Sequence, residues 1–208
     1  MRTYQASKRD APVLVFAPGA GAGESHPWMQ RTGEGLAERG VSVVTFDFPY
    51  RLAGRRLPDR GPVLEAAYRE AWQEVARRYP TGEILSIGGK SMGGRIATQV
   101  CAAGDLSPLP AKVICFGYPL HPPGRPAQRR DQHLPRVSVP ALFLHGSRDP
   151  FGSPEEMTEL VGWLPQATLS LVEGGDLSLA VPARQDAGGK AFDAALDRAA
   201  KWLIEGRI

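Results

Sequence analysis

The residues with the clearest capacity for chemistry lie at positions 88–95, GGKSMGGR. The Gly-Lys-Ser triplet matches the end of a phosphate-cradling loop, G-x-x-x-x-G-K-[ST], but that loop needs a glycine at position 84, where the chain has Ile84. Without it the backbone amides lack the turn that lets them converge on a phosphate. Read in the other frame, Gly89-Lys90-Ser91-Met92-Gly93 is G-x-S-x-G, a tight turn that lifts a serine hydroxyl above the end of a strand. Lys90 is then the variable residue before a nucleophile, Ser91. The amide of Met92 faces the same space as the hydroxyl, and Gly89, Gly93 and Gly94 supply the small side chains that a strained turn requires.

A serine that attacks an acyl carbonyl needs a second amide to hold the developing oxyanion. The segment APGAGAG (17–23) follows the first apolar run and carries almost no side chain, so its amides can approach a substrate; Ala20 is the expected donor. A dinucleotide-type G-x-G-x-x-G does not fit, because Gly19, Gly21 and Gly23 simply alternate. The acid of such a constellation follows the nucleophile in chain order, at the end of a later strand. SRDPFG (147–152) comes directly after ALFLHG (141–146), which places Asp149 at a strand's carboxyl edge. A turn-forming Asp-Pro is the plain structural alternative.

These residues need a frame. Short apolar runs bounded by Gly and Pro recur at 13–19, 41–49, 83–89, 112–119, 141–146 and 168–175. They are continuous rather than alternating in polarity, as strands covered on both faces are, which indicates a parallel sheet. Between them run helical patterns. Leu64, Tyr68, Trp72 and Val75 form one apolar stripe, closed by Tyr79-Pro80, and Phe192, Leu196, Ala199 and Leu203 form another. Helices are expected over 27–40 and 92–104, each ending at a glycine, Gly40 and Gly104, in a left-handed cap. Ser153-Pro154-Glu155-Glu156 reads as a helix start. Alternating strands and helices predict a three-layer α/β/α sandwich on a mostly parallel sheet of six or more strands, as a single domain over 1–208.

Composition narrows the function. The 208 residues carry a net charge of +3 and two cysteines, Cys101 and Cys115, inside a predicted helix and strand, where reduced buried thiols are expected. No Cys/His cluster has metal-ligand spacing, so neither a metal nor another cofactor is expected. No apolar run approaches a membrane span, and MRTYQASKRD lacks the pattern of a secretory signal, which predicts a cytoplasmic protein. The arginines at 51–56 and 124–130 are not interleaved with aromatic residues, against nucleic-acid binding; they read as solvated loops or as the border of a site for an anionic substrate.

Taken together, APGAGAG, FDFPYR, GGKSMGGR, FGYPLHPPG, GSRDPFG and VEGGD.S, spread through nearly the whole chain, resemble the small lidless α/β-hydrolases akin to dienelactone hydrolase and bacterial serine esterases. The resemblance implies an α/β-hydrolase fold without a cap domain and a cofactor-free carboxylic-ester hydrolase, with Ser91 as nucleophile and Asp149 as acid, acting on a small-molecule ester or acyl substrate. Two departures stand out. Dienelactone hydrolases carry a cysteine where this chain has Ser91. The family pattern GGDHS, whose histidine is the general base, reads Gly174-Gly175-Asp176-Leu177-Ser178 here.

Leucine can neither accept the serine's proton nor pass it to a leaving group. Loss of the base costs a serine triad on the order of 10⁶ in kcat and leaves about 10³-fold acceleration. Of the four histidines, His145 and His133 read as structural. His26 reads as a helix cap that borders the glycine-rich loop, and His121, just past a strand end, is the stronger surrogate base or pocket residue. Three readings stay open: a serine esterase with impaired or rerouted activity, a catalytically silent hydrolase fold that binds a small molecule or protein partner, and a loss of the base confined to this chain.

Overall fold

The computed structural model describes every residue except 9, 80–84, 187, 207 and 208. Strands β1 (Arg2–Tyr4), β2 (Val13–Ala17), β3 (Ser42–Thr45), β4 (Leu85–Lys90), β5 (Val113–Phe116), β6 (Ala141–Gly146) and β7 (Ala167–Val172) form one sheet in the order β1-β3-β2-β4-β5-β6-β7. Only β1 is antiparallel to its neighbour, with Thr3 opposite Val44. Helices α1 (Pro27–Glu38) and α6 (Lys190–Glu205) cover one face. The other carries α3 (Gly61–Arg78), α4 (Met92–Ala103) and α5 (Pro154–Gly162), with the single turn α2 (Pro49–Leu52) near the end of β3.

The continuous apolar runs have a direct cause. Val13, Val15 and Ala17 of β2 belong to the core beneath α3 and α4, whereas Leu14 and Phe16 belong to the core beneath α1 and α6. Both sides of the β2 pleat are therefore buried, and none of its positions is left for a polar residue. The α3 stripe is fully enclosed, and its Tyr68 hydroxyl ties two central strands together: it accepts from Gly88 N (3.1 Å) and lies 2.9 Å from Val15 O. That bond fixes the strand end from which Ser91 emerges.

Local rules explain most helix ends. Ser153 caps α5 in a reciprocal capping box with Glu156, and Gly104 ends α4 at φ +70°. Helix α1 stops at Glu38, and Gly40 supplies the left-handed turn at φ +87° two residues later. Helix α3 ends at Arg78; the Pro80 expected to close it and the first two residues of the 83–89 run lie outside the described residues. Two elements went unanticipated, β1 and α2, because three and four residues are too short for a period to register. Between β5 and β6, the described residues form only a 3₁₀ turn at Leu134–Arg136 and no cap.

Candidate active site

Ser91 follows the last residue of β4 and precedes α4, with φ 48° and ψ −114°, a conformation that side-chain-bearing residues rarely adopt. Its amide is bound to Phe116 O (2.9 Å) and its carbonyl to Arg95 N (3.0 Å), so the turn is held from both sides. The glycines are required by packing. A Cβ on Gly93 would overlap the carbonyls of Ala17 and Pro18, and one on Gly89 would overlap Gly93. Only bare backbone lets α4 start this close to the end of β2. As a first-turn residue Met92 has no intrahelical acceptor for its amide.

The glycine-rich loop after β2 is held by side chains of the FDFPYR segment, among them Tyr50, which the sequence suggests as a pocket wall but which does not line the cavity. Asp47 Oδ1 accepts from Glu24 N (2.7 Å), and the buried Tyr50 accepts from Gly21 N at its hydroxyl (3.1 Å). The motif FDFPYR thus anchors the loop that carries Ala20, and Tyr50 lies beneath the site. Ala20, Ser91, Met92, Leu177 and His26 line one cavity of about 650 Å³, within the common size of small-molecule sites of roughly 300–1,000 Å³. Phe151 and Arg130 also border it, so the 124–130 arginine run reaches the site, whereas Arg55 of the 51–56 run pairs with Asp59 at 2.7 Å. A second cavity of about 220 Å³, between the 3₁₀ turn and β7, is lined by neither nucleophile nor carboxylate.

Asp149 is buried just past β6, and Oδ1 accepts from Phe151 N at 2.9 Å. Its Oδ2 is enclosed without a hydrogen-bond partner among the described residues. The nearest titratable nitrogen is His145 Nδ1, 3.7 Å away and also unpartnered. His145 Nε2 lies 2.8 Å from Gly152 O and must donate to it, so a neutral ring presents its Nδ1 lone pair to the carboxylate. Burial raises the Asp149 pKa, partly offset by the Phe151 amide, and a proton held between the two groups relieves their repulsion.

Residues 174–180 pass close to both strand ends. A Cβ on Gly117 (φ +66°) would overlap Leu177 O, and one on Gly146 would overlap the carbonyls of Gly175 and Asp176. Asp176 Oδ1 accepts from Ser178 N (2.7 Å) and Ala180 N (3.0 Å), and the buried Leu179 takes φ 59°. Ser91 and Leu179 are the positive-φ residues other than glycine among those described; Ser91 lines the cavity, whereas Leu179 is buried in the core beneath α1 and α6. The loop delivers residue 177 to the site with an aliphatic side chain.

His121 does not line the cavity. Its Nδ1 is 2.9 Å from Pro122 O and its Nε2 is 3.1 Å from Glu156, which directs the ring toward α5. His26 does line it, but Nδ1 accepts the Trp28 amide (3.2 Å) as the cap of α1. The neutral ring therefore already carries its proton on Nε2. His133 is tied to the Thr98 hydroxyl at 2.8 Å, and burial lowers its pKa to about 4.

Lys90, by sequence only the variable residue before the nucleophile, has specific surroundings. Its side chain is largely buried beside the nucleophile, with Nζ donating to Leu177 O at 3.2 Å and lying 5.0 Å from the centre of the Trp28 ring. Burial lowers its pKa to about 8, against the opposing pull of Asp176 and Asp149. The available signal was strand alternation, since Lys90 pairs with Phe116 in register and so shares the inward face beneath α1 and α6.

Residues 10–205 match the model of a family described as an alpha/beta hydrolase domain. A dienelactone hydrolase from Anabaena variabilis is similar in structure, with TM-score 0.73 and 20% identity over 97% of this chain and 89% of that one. A serine hydrolase without a lid from Xanthomonas campestris gives TM-score 0.71 and 20% identity over 96% and 86%. Est1E from Butyrivibrio proteoclasticus, solved with ferulic acid bound, gives 0.70 and 13% over 98% and 95%.

Proposed function

We propose, from the premise that the chain belongs to the alpha/beta hydrolase domain family, that it is a serine hydrolase of carboxylic esters with Ser91 as nucleophile and a weakened proton-transfer apparatus. The observation that carries this reading is the strained Ser91 backbone, φ 48°, held on a glycine-packed turn. A surface turn has no need of such a conformation, whose cost is of order 1–3 kcal/mol. In the reaction, Ser91 Oγ attacks the acyl carbon and the amides of Ala20 and Met92 receive the oxyanion. Asp149, buried behind the cavity wall, is the proposed acid; its Oδ2 has no hydrogen-bond partner among the described residues, and Leu177 leaves a vacancy where the imidazole base would stand.

The structural relatives, Est1E with ferulic acid bound and a dienelactone hydrolase, agree with a small-molecule ester as substrate. That same vacancy at position 177 favours a second reading, a binding protein that keeps the pocket without the chemistry. Hydrolysis of p-nitrophenyl acetate separates them. The hydrolase reading expects slow turnover that disappears in Ser91→Ala and rises about 10²–10⁴-fold in Leu177→His, the usual contribution of a positioned base. No turnover in either the parent or Leu177→His supports the binding reading.

A further inference from the structure

Among the described residues lining the cavity that holds Ser91, one side-chain nitrogen can carry a free lone pair. The cavity's other basic lining groups are His26, whose tautomer is set by the α1 cap, and the guanidinium groups of Arg95 and Arg130, which do not deprotonate. His145, His121 and His133 do not line it. Lys90 does. Its Cγ and the Cβ of Ser91 would each lie 3.7 Å from a Cβ built on Gly19, so the two side chains leave adjacent residues past the same glycine. Nζ then reaches the carbonyl of Leu177, the residue in the expected base's position.

We infer that Lys90 is the proton acceptor for Ser91, standing in for the imidazole that Leu177 does not provide. This rests on the serine-hydrolase reading. A neutral amine has two N–H bonds, one of which keeps the Leu177 carbonyl, and a lone pair for the serine hydroxyl. Nζ takes the proton from Oγ as Oγ bonds to the acyl carbon and the carbonyl electron pair moves to oxygen. When the tetrahedral adduct collapses, the C–O bond to the leaving group breaks and the departing oxygen takes the proton from the ammonium. Water then attacks the acyl-serine, giving a proton to Nζ. The acid leaves as that proton returns to Oγ.

The protonation balance at Lys90 is set by everything packed against it. Asp176 after β7 and Asp149 after β6 favour the ammonium, as does the Trp28 ring of α1. Arg95, Arg130, His26 and Asp59 are the remaining titratable groups of the cavity wall, and Phe116 of β5 is neutral. Desolvation is the largest influence and brings the amine to about 8, so half of it is neutral at that pH and a smaller share below it.

The rate of Ser91 labelling by a fluorophosphonate tests this on the full chain, with Ser91→Ala as the blank. In the parent the rate is expected to climb between pH 6 and 10 with a midpoint near 8, following the Lys90 amine. Lys90→Met and Lys90→Arg should each lower the rate by about 10²-fold or more. Arginine keeps a cation and a donor for the Leu177 carbonyl but has no usable lone pair, so it serves even if the methionine variant folds poorly. Adding Leu177→His to Lys90→Arg should restore labelling. Parent-like labelling of Lys90→Arg, or a rate that does not vary with pH, would overturn the inference and make Lys90 a tether for the 174–180 loop. Labelling of Leu177→His but not of the parent would also overturn it, leaving the hydrolase reading intact. No labelling of either would count against the hydrolase reading itself.

Discussion

Asp149 shows how much depends on a single oxygen. One side of its carboxylate is satisfied by the Phe151 amide, while the other faces His145 Nδ1 at 3.7 Å, and without a shared proton the two acceptors repel each other. An enclosed acceptor without a donor costs about 1–3 kcal/mol. In Asp149→Asn, the amide nitrogen can turn to His145 Nδ1 while the oxygen keeps the Phe151 amide. Thermal melts should therefore show the variant more stable at pH 7, by a Tm gain of about 2 °C or more. The sign of the pH dependence follows from the raised pKa of Asp149. Its contribution is most favourable below the unfolded value of about 3.9 and is lost as pH rises through the folded value. The gap between variant and parent should thus be smallest in acid and widen toward neutrality. A gap that narrows instead would contradict the burial account.

The site is assembled from loops at the carboxyl ends of β2, β4, β6 and β7, and each is tied down by a contact remote in sequence. The glycine-rich loop depends on α2: Tyr50 is fully buried and its hydroxyl receives the Gly21 amide. Tyr50→Phe removes that acceptor while preserving the ring. Loss of one such bond is worth about 0.5–1.5 kcal/mol. Hydrogen exchange should accelerate around 20–23 and Ser91 labelling should fall several-fold, with little change in exchange across α6. Unchanged exchange in the loop would mean that the Asp47–Glu24 bond suffices to hold it. The loop carrying Leu177 is supported differently, by two glycines at strand ends and by the Asx-type turn of Asp176.

Across the molecule, alternate residues of the same central strands feed two cores, one on each face of the sheet. Neither core can be removed without exposing strands that the other needs, so damage to one layer should weaken the entire fold. Trp72, fully buried on the inner face of α3 and bonded through Nε1 to Pro108 O at 3.0 Å, is the largest enclosed side chain among the described residues. Trp72→Ala should cost about 3–5 kcal/mol. A melt followed by near-ultraviolet dichroism is expected to move as one transition, by about 2–4 °C per kcal/mol. Two separated transitions would show the layers to be independent.

The fold was legible in the sequence because double-sided burial writes itself as uninterrupted apolar runs, and because glycine and proline mark where those runs stop. The serine turn was legible for the same kind of reason: a backbone packed that closely admits only glycine at Gly89 and Gly93. Leu177 could be recognised as the wrong chemistry for a proton acceptor from its side chain alone. The histidines and Lys90 could not be sorted that way, since a titratable group's role depends on what its nitrogen faces. Folding turned His121 toward Glu156, fixed the tautomer of His26 through the cap of α1, and left Asp149 opposite His145. It also buried Lys90 against the carbonyl of Leu177, a contact between residues 87 positions apart that no local pattern encodes.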